Sequence, residues 1–138
     1  MEENDNKKKK EKKKKIKFDF KYIKDNPDAE KRKEESTKIL SKFPDKVPVI
    51  CEKDPNSKIL HEIDKSKFLV SNDLTGSQFN YMVRKKLGVK DEESAFYLLV
   101  NGSVTITGDN TMSEIYESYK NPEDGFLYII YTSTEIWG

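Results

Sequence analysis

The stretch Gly125-Phe126-Leu127-Tyr128-Ile129-Ile130-Tyr131, close to the end of this 138-residue chain, decides the fold. All six residues after the glycine are apolar or aromatic. Because side chains alternate between the two faces of a sheet, such an unbroken run predicts a strand that is buried on both faces. We therefore expect it to occupy a central position in its sheet.

Three shorter strands are predicted before it, at Val47–Cys51, Lys67–Val70 and Ala95–Val100. The turn at Asp54–Ser57 lies between the first two, which predicts that they pair in antiparallel fashion. Pro48 has no amide hydrogen to donate, so we expect it at the start of its strand or beside an unpaired edge.

Helices are predicted in three places. Residues 28–43 form the first, and its polar first half, Glu30–Glu35, is expected to face solvent except where its side-chain stems cover a neighbour. Thr75-Gly76-Ser77-Gln78 and Thr111-Met112-Ser113-Glu114 have the form of capping boxes and begin two more helices. The second of the three helices is expected to stop at Gly88.

The order of these elements predicts an α+β fold of the β-grasp type, a four-stranded mixed sheet around one helix, with added N-terminal helices. Residues 1–17 are expected to be a disordered lysine-rich tail, 18–132 the folded domain, and 133–138 a flexible C-terminal tail. The polar residues from Thr132 onward are expected to fray.

Charge is divided unevenly along the chain. Residues 1–17 contain nine lysines and four acidic residues, a net charge of +5, whereas the other 121 residues carry 17 basic and 21 acidic groups. Such a tail could be a solvated solubilising segment, or an arm that binds an anionic membrane or an acidic filament surface. Without arginine or aromatic residues in its lysine run, we do not expect a nucleic-acid partner.

Several classes of protein are excluded by composition. No apolar run approaches the ~18 residues of a spanning helix, and the lysine block lacks the apolar region of a signal peptide. One cysteine and one histidine form neither a disulfide framework nor a Cys/His zinc cluster. Cys51 lies in an apolar strand and is expected to be a buried, inert thiol. We expect a cytoplasmic, monomeric protein without metal or cofactor that is not an enzyme.

Short blocks along the chain closely resemble the autophagy-related protein 8 family, the ubiquitin-like modifiers that include the light-chain-3 and GABA-receptor-associated proteins. The resemblance runs from about Phe18 to Gly138. The blocks occur in the family's order: Glu30–Ser36, Val47–Lys53, Ile63–Lys65, Lys67–Val70, Asp73–Thr75, Gly76–Phe79, Val83–Lys86, Met112–Tyr116 and Asp124–Tyr128. This resemblance implies a ubiquitin-like β-grasp.

The resemblance also implies a covalent function for Gly138. In the family, the C-terminal glycine is activated by a ubiquitin-activating-like enzyme and passed to a conjugating-like enzyme. It is then joined to phosphatidylethanolamine on the autophagosome membrane. A cysteine protease processes precursors or removes the lipid.

A second implied function is the binding of aromatic-x-x-aliphatic motifs of cargo receptors and adaptors, by strand addition beside the second strand. The family's aromatic pocket maps onto Glu35, Ile39, Pro48, Ile50, Lys67, Leu69 and Phe126. Its aliphatic pocket maps onto Phe68, Val70, Leu74, Phe79, Met82 and Val83. Acidic residues of the motif are expected to meet Lys46, Lys65, Lys67 and Arg84.

An alternative function remains open from the residues themselves. The chain could be a peptide-docking adaptor that is never conjugated, and whose basic tail binds an acidic membrane or cytoskeletal surface.

Overall fold

The computed structural model describes residues 16, 19–89, 95–106 and 108–133. No helix within these residues has both the length and the apolar character needed to cross a membrane. In chain order the elements are α1 (Lys21–Asp25), α2 (Ala29–Lys42), β1 (Lys46–Lys53), β2 (Lys67–Ser71), α3 (Gly76–Leu87), β3 (Phe96–Val100), β4 (Val104–Thr105), α4 (Met112–Tyr119) and β5 (Leu127–Ser133).

The strands form one mixed sheet in the order β2-β1-β5-β3-β4. The predicted central position of β5 is confirmed: it pairs in parallel with β1 and antiparallel with β3. The antiparallel pairing of β1 with β2 is also confirmed. The predicted α+β β-grasp with added N-terminal helices is therefore correct, but the count of four strands is one too low. The two residues of β4 are too few to give a periodic pattern.

Pro48 is accommodated by the pairing pattern of β1. The bond from the Cys51 amide to the Ser66 carbonyl places the odd-numbered residues of β1 in hydrogen-bonded pairs with β2. Pro48, opposite Leu69, therefore needs no donor toward β2. On its other side, the parallel pairing with β5 begins only at Val49. Pro48 therefore lies at a position where neither neighbouring strand needs a hydrogen-bond donor from its nitrogen, as predicted.

Apolar side chains cover both faces of the sheet. One face packs with α3 and α4 in the larger cluster, which includes Val47, Val49, Cys51, Phe68, Val70, Phe79, Val83, Leu98, Met112, Ile115, Leu127, Ile129 and Tyr131. The other face packs with α1 and α2 through Phe20, Ile50, Phe126, Tyr128 and Ile130. Consecutive residues of β5 thus alternate between two buried layers, which explains its unbroken apolar sequence.

The first half of α2 differs from the prediction at one residue. Asp28 caps the helix by accepting from the Glu30 amide at 3.0 Å, but Arg32 is only 4% exposed. Its Nε donates to Asp124 Oδ2 at 2.8 Å and its Nη1 donates to the Asn26 carbonyl at 2.7 Å. The prediction allowed only side-chain stems to be covered, and it is wrong for the charged group of Arg32, because a carboxylate distant in sequence pairs with the guanidinium.

Both capping boxes are confirmed. The Thr75 hydroxyl accepts from the Gln78 amide, and the Gln78 side chain accepts from the Thr75 amide. Thr111 and Glu114 make the same reciprocal pair at the start of α4. α3 ends at Gly88 as predicted, and this glycine adopts a left-handed conformation with φ of 69°.

The end of the described chain is more ordered than its polarity suggests. Thr132 and Ser133 belong to β5 and pair with Tyr97 and Phe96 of β3. The prediction that the chain frays from Thr132 onward is therefore wrong for these two residues, because the antiparallel ladder continues past the apolar run. Residues 134–138 and, apart from residue 16, the lysine-rich tail of 1–17 lie outside the described residues.

Candidate functional site

The edge strand β2 presents one side of its backbone away from the sheet. Its neighbour in the sheet is β1, and the bonds from the Cys51 amide to the Ser66 carbonyl and from the Asn72 amide to the Asp45 carbonyl fix the pairing. The even-numbered residues of β2 therefore bond to β1. In an antiparallel ladder, the backbone groups of Lys67 and Leu69 then point outward. This is the geometry that accepts an added strand.

The β2 residues predicted for the two pockets lie on opposite faces of the strand. Phe68 and Val70 are buried toward the layer that contains α3, whereas Lys67 and Leu69 are exposed on the side of α2. Leu69 is 40% exposed, which is unusual for a large apolar side chain in a strand. An extended segment beside β2 would thus meet a different set of side chains on each face.

The residues predicted for the aromatic pocket lie on the α2 side of the sheet. Ile50 and Phe126 lie at its base and have no exposed surface, and Ile39 of α2 is half-buried in the same cluster. Pro48 is buried and, two residues before Ile50 in β1, lies on the same face of the strand. Glu35, one turn before Ile39, stands at the margin together with Lys67 and Leu69 of β2. The structure therefore brings the seven predicted residues to one face.

An ion pair joins the two sides of this aromatic pocket. Lys67 Nζ contacts Glu35 Oε1, and the two side chains are 38% and 40% exposed. Burial raises the pKa of the Glu35 carboxyl, but hydrogen bonds from Lys67 and from Tyr22 outweigh it, so the pKa is lowered overall. The carboxylate therefore stays ionised at neutral pH and holds the lysine over the pocket.

Tyr22, which was not predicted from the sequence, contacts three of the residues predicted for this pocket. Its hydroxyl donates to Glu35 Oε2 at 2.7 Å, and its ring lies edge-on to Phe126 with centroids 5.3 Å apart. Lys67 Nζ lies 5.3 Å from the centre of the Tyr22 ring. Tyr22 belongs to the five-residue α1, which is too short to give a periodic signal in the sequence.

The predicted aliphatic pocket is mostly interior. Phe79 and Val83 have no exposed surface, and Val70 and Phe68 are 2% and 7% exposed. The Phe68 and Phe79 rings meet edge-on at 5.8 Å. Only two of the six predicted residues, Leu74 and Met82, are half-buried and reach the surface. The buried four therefore form the base of this site.

The basic residues expected to meet an acidic peptide are spread over the surface. Lys65 is exposed just before β2 and Lys46 is half-buried at the start of β1. Arg84 lies with its guanidinium carbon 5.5 Å from the Phe96 ring centre on β3, three strands from β2. Arg84 thus belongs to a different part of the surface from the β2 edge.

Lys86 is a basic residue near β2 that was not predicted. Its Nζ lies 4.8 Å from the Phe68 ring centre. It follows Phe79, Met82 and Val83 at spacings of seven, four and three, which places these residues on one face of α3. That spacing could have identified it from the sequence.

Cys51 is buried as predicted. It has no exposed surface, and burial raises the pKa of its thiol well above the ordinary range. Within the described part of the chain, no group of three or more His, Cys, Asp or Glu side chains is placed to hold a metal ion. The predicted attachment residue Gly138 lies outside the described residues.

Comparisons with known proteins agree with this fold. The family model described as "Autophagy protein Atg8 ubiquitin like" matches residues 31–138. Autophagy-related protein 8 of Pichia angusta is 47% identical over 116 residues, which cover 84% of this chain and 90% of that protein. Human microtubule-associated protein 1 light chain 3 gamma is 45% identical over 107 residues, or 78% of this chain and 71% of the relative.

A solved structure gives the same result. The crystal structure of Trypanosoma brucei ATG8 superposes with a TM-score of 0.74 at 38% sequence identity, and the match covers 85% of this chain and 97% of that one. The fold, the family model and the relatives agree with the resemblance of the sequence blocks. This chain therefore belongs to the Atg8 family of ubiquitin-like autophagy proteins.

Proposed function

We propose that this protein is a lipid-conjugated modifier that collects receptor motifs. It docks aromatic-x-x-aliphatic segments of cargo receptors and adaptors along β2, and it is joined through Gly138 to phosphatidylethanolamine on autophagosomal membranes. The single observation that carries the docking proposal is the arrangement of β2: an edge strand with outward backbone groups at Lys67 and Leu69 and with apolar side chains on both faces.

The spacing of the motif suits this arrangement. In an extended peptide, side chains three positions apart point to opposite faces, because the separation is an odd number. An aromatic side chain directed to the Ile50 and Phe126 side therefore leaves the aliphatic one directed to Leu74 and Met82. Main-chain bonds to Lys67 and Leu69 would fix the register of the added strand.

Charge around the edge favours acidic partners. Lys65, Lys67 and Lys86 lie at or beside β2, and each exposed ion pair with an acidic peptide contributes ~0–1 kcal/mol. Such pairs mainly raise the rate of association, and salt weakens them.

Conjugation requires partner enzymes because a free carboxylate is a poor electrophile. The Gly138 carboxylate would attack the α-phosphate of ATP and release pyrophosphate. A thiolate of the activating-like enzyme would then displace AMP to form a thioester. After transfer to a conjugating-like enzyme, the lipid amine would attack the thioester carbonyl and release the thiol. This chain supplies the carboxyl group and no catalytic group, which agrees with the burial of Cys51.

The docking proposal is tested with Leu69→Ala. Calorimetry with a synthetic acidic peptide that contains an aromatic-x-x-leucine motif should show a loss of about tenfold, or ~1.4 kcal/mol, since a partly exposed apolar anchor is removed. Tyr97→Ala on β3 is the matched control, since Tyr97 is 39% exposed at a distance from β2. Equal affinity of the Leu69→Ala variant and the wild type would refute docking at this edge.

Deletion of Gly138 tests conjugation in a reconstituted system with activating-like and conjugating-like enzymes, ATP and vesicles that contain phosphatidylethanolamine. The full chain should gain the mass of the lipid, and the deletion variant should not. A deletion variant that still gains it contradicts the proposal. A full chain that never gains it, yet binds anionic vesicles through residues 1–17, would instead support the non-conjugated adaptor.

A further inference from the structure

The aromatic pocket already holds an aromatic side chain of this protein. Tyr22 contacts Phe126 on the floor of the pocket, with ring centroids 5.3 Å apart and planes at 66°. This distance and edge-on arrangement are typical of favourable aromatic pairs. With Tyr22 in place, Phe126 and Ile50 have no exposed surface. An entering aromatic side chain would find that floor covered.

The polar margin of the pocket also binds Tyr22. Glu35 accepts the Tyr22 hydroxyl at 2.7 Å, and Lys67 Nζ lies 5.3 Å from the centre of its ring while it pairs with Glu35. A bond to an ionised acceptor is stronger than one between neutral groups. The same residues that would line the pocket around a peptide therefore hold Tyr22.

The α1 helix that carries Tyr22 is bonded to the sheet by the Glu52 carboxylate, and the buried N-cap residue Phe20 anchors its start against Tyr128, with ring centroids 5.0 Å apart. The Glu52 carboxylate accepts from the Lys21 amide at 2.7 Å and from the Tyr22 amide at 2.9 Å. Phe20, at the N-cap of α1, provides no side-chain cap, so Glu52 of β1 takes that role. α1 has only five residues between the buried Phe20 and Asn26, whose carbonyl accepts from Arg32, so release of Tyr22 requires only a local opening of α1 between these two residues.

We propose that Tyr22 is an internal competitor for the aromatic pocket, and that the aromatic residue of a docking motif binds by displacing it. This inference rests on the proposed docking function. The apparent affinity for the motif is then reduced by the fraction of molecules in which Tyr22 has left the pocket. Occupation of the pocket by Tyr22 therefore lowers the affinity for weak motifs and favours peptides with a large aromatic side chain and with flanking acidic residues that can compete for Lys67.

Substitution of Tyr22 tests the direction of its effect. Tyr22→Ala removes the competitor and should tighten binding of a synthetic acidic peptide with a tryptophan-x-x-leucine motif by at least about fivefold. Tyr22→Phe keeps the ring but loses the bond to Glu35, so it should tighten binding by less. Tyr81→Ala, at a 59% exposed tyrosine of α3, should leave the affinity unchanged. Weaker or equal binding by Tyr22→Ala would show that Tyr22 is a wall of the pocket, and would overturn the proposal.

Hydrogen exchange on the unaltered protein gives a second test that needs no variant. The Lys21 and Tyr22 amides are bonded to Glu52, and displacement of α1 should break these bonds. Addition of the peptide should therefore accelerate their exchange. Slower exchange would mean that α1 stays docked when the peptide binds, and would contradict displacement.

The Leu69→Ala variant separates the failure of this inference from failure of the docking function. If Leu69→Ala weakens the peptide while Tyr22→Ala fails to tighten it, the edge is the docking site and Tyr22 is not a competitor. If the peptide binds neither the wild type nor Tyr22→Ala, docking itself is refuted, and the inference with it.

Discussion

Arg32 and Asp124 form an ion pair beneath α2, with Arg32 Nε 2.8 Å from Asp124 Oδ2 and with side chains only 5% and 0% exposed. The Tyr128 hydroxyl donates to the same Asp124 oxygen at 2.5 Å, and the Phe126 amide donates to the other oxygen at 2.9 Å. Burial lowers the pKa of Arg32, but its bond to Asp124 and the interactions with Asp124 and Tyr128 together outweigh this effect, so the pKa is raised. The network attaches α2, which carries Glu35, to the start of the central strand.

Asp124→Ala should be strongly destabilising. The substitution leaves the Arg32 guanidinium buried without its carboxylate and removes the acceptor of Tyr128, and loss of one partner of a buried pair costs about 3–5 kcal/mol. The free energy of unfolding can be measured by urea denaturation. Glu117→Ala is the control, because Glu117 pairs with Lys120 at the surface at 3.4 Å and should contribute less than about 1 kcal/mol. Similar losses in both variants would contradict a dominant role for the buried pair.

Gly76, the first residue of α3, and Gly88, which follows its last residue, should respond differently to substitution. A Cβ at Gly76 would lie 2.3 Å from Ile106 Cγ2, so Gly76→Ala should cost about 1–3 kcal/mol through overpacking. A Cβ at Gly88 meets nothing within 4 Å, but φ there is 69°, so Gly88→Ala should cost about 1–2 kcal/mol through the backbone alone.

Substitution by asparagine distinguishes overpacking at Gly76 from backbone strain at Gly88. Asparagine tolerates the left-handed conformation, so Gly88→Asn should be more stable than Gly88→Ala. Gly76→Asn should be worse than Gly76→Ala, because its side chain is larger and the contact with Ile106 remains. Thermal unfolding followed by circular dichroism measures the four variants. Equal stability of the Asn and Ala variants at Gly88 would be inconsistent with backbone strain.

Local patterns in the sequence were sufficient for most of the fold. The continuous apolar run of β5 and the reciprocal pairs Thr75–Gln78 and Thr111–Glu114 depend on residues close in the chain, and all three are confirmed. The burial of Arg32 could not be predicted, because its partner Asp124 is 92 residues away. No periodic pattern contains information on such a contact.

In the candidate site too, features set by neighbouring residues could be predicted, whereas contacts between distant residues could not. Alternation along β2 places Lys67 and Leu69 on one face and Phe68 and Val70 on the other, and this could be derived from the strand assignment alone. The extent of burial could not: Phe68 is only 7% exposed, so its replacement by alanine would disturb the core as well as a pocket. Tyr22 was missed because its contacts are with residues outside its own short helix.

The Glu35 carboxylate should contribute stability that depends on pH. Its pKa is lower in the folded state than its ordinary value, because the bonds from Lys67 and Tyr22 to the ionised form outweigh the effect of burial. A group of this kind stabilises the fold above its unfolded-state pKa of about 4.3, and the contribution is lost as the pH falls through the folded-state pKa. At neutral pH it amounts to no more than about 1 kcal/mol, because water screens the partly exposed pair.

Comparison of the wild type with Glu35→Gln isolates this contribution. The melting temperature of the wild type should exceed that of the variant at pH 7, and the difference should decrease toward zero as the pH is lowered from about 5 to 3. Because all other carboxyl groups are common to both proteins, their titration cancels in the difference. A difference that stays constant over this range would mean that the ionised form of Glu35 is not the one stabilised.

The thiol of Cys51 should be unreactive in the folded protein. It has no exposed surface, and burial raises its pKa, so almost none of it is present as the nucleophilic thiolate at neutral pH. An aromatic disulfide reagent should label the thiol in guanidinium chloride but not in native buffer, and slow native labelling should follow the rate of unfolding. Cys51→Ala should accept lipid as well as the wild type does in the reconstituted system. Rapid labelling of the native protein, or loss of conjugation in a well-folded Cys51→Ala variant, would contradict this prediction. Either result would indicate that the Cys51 thiol has a chemical role beyond packing in the core.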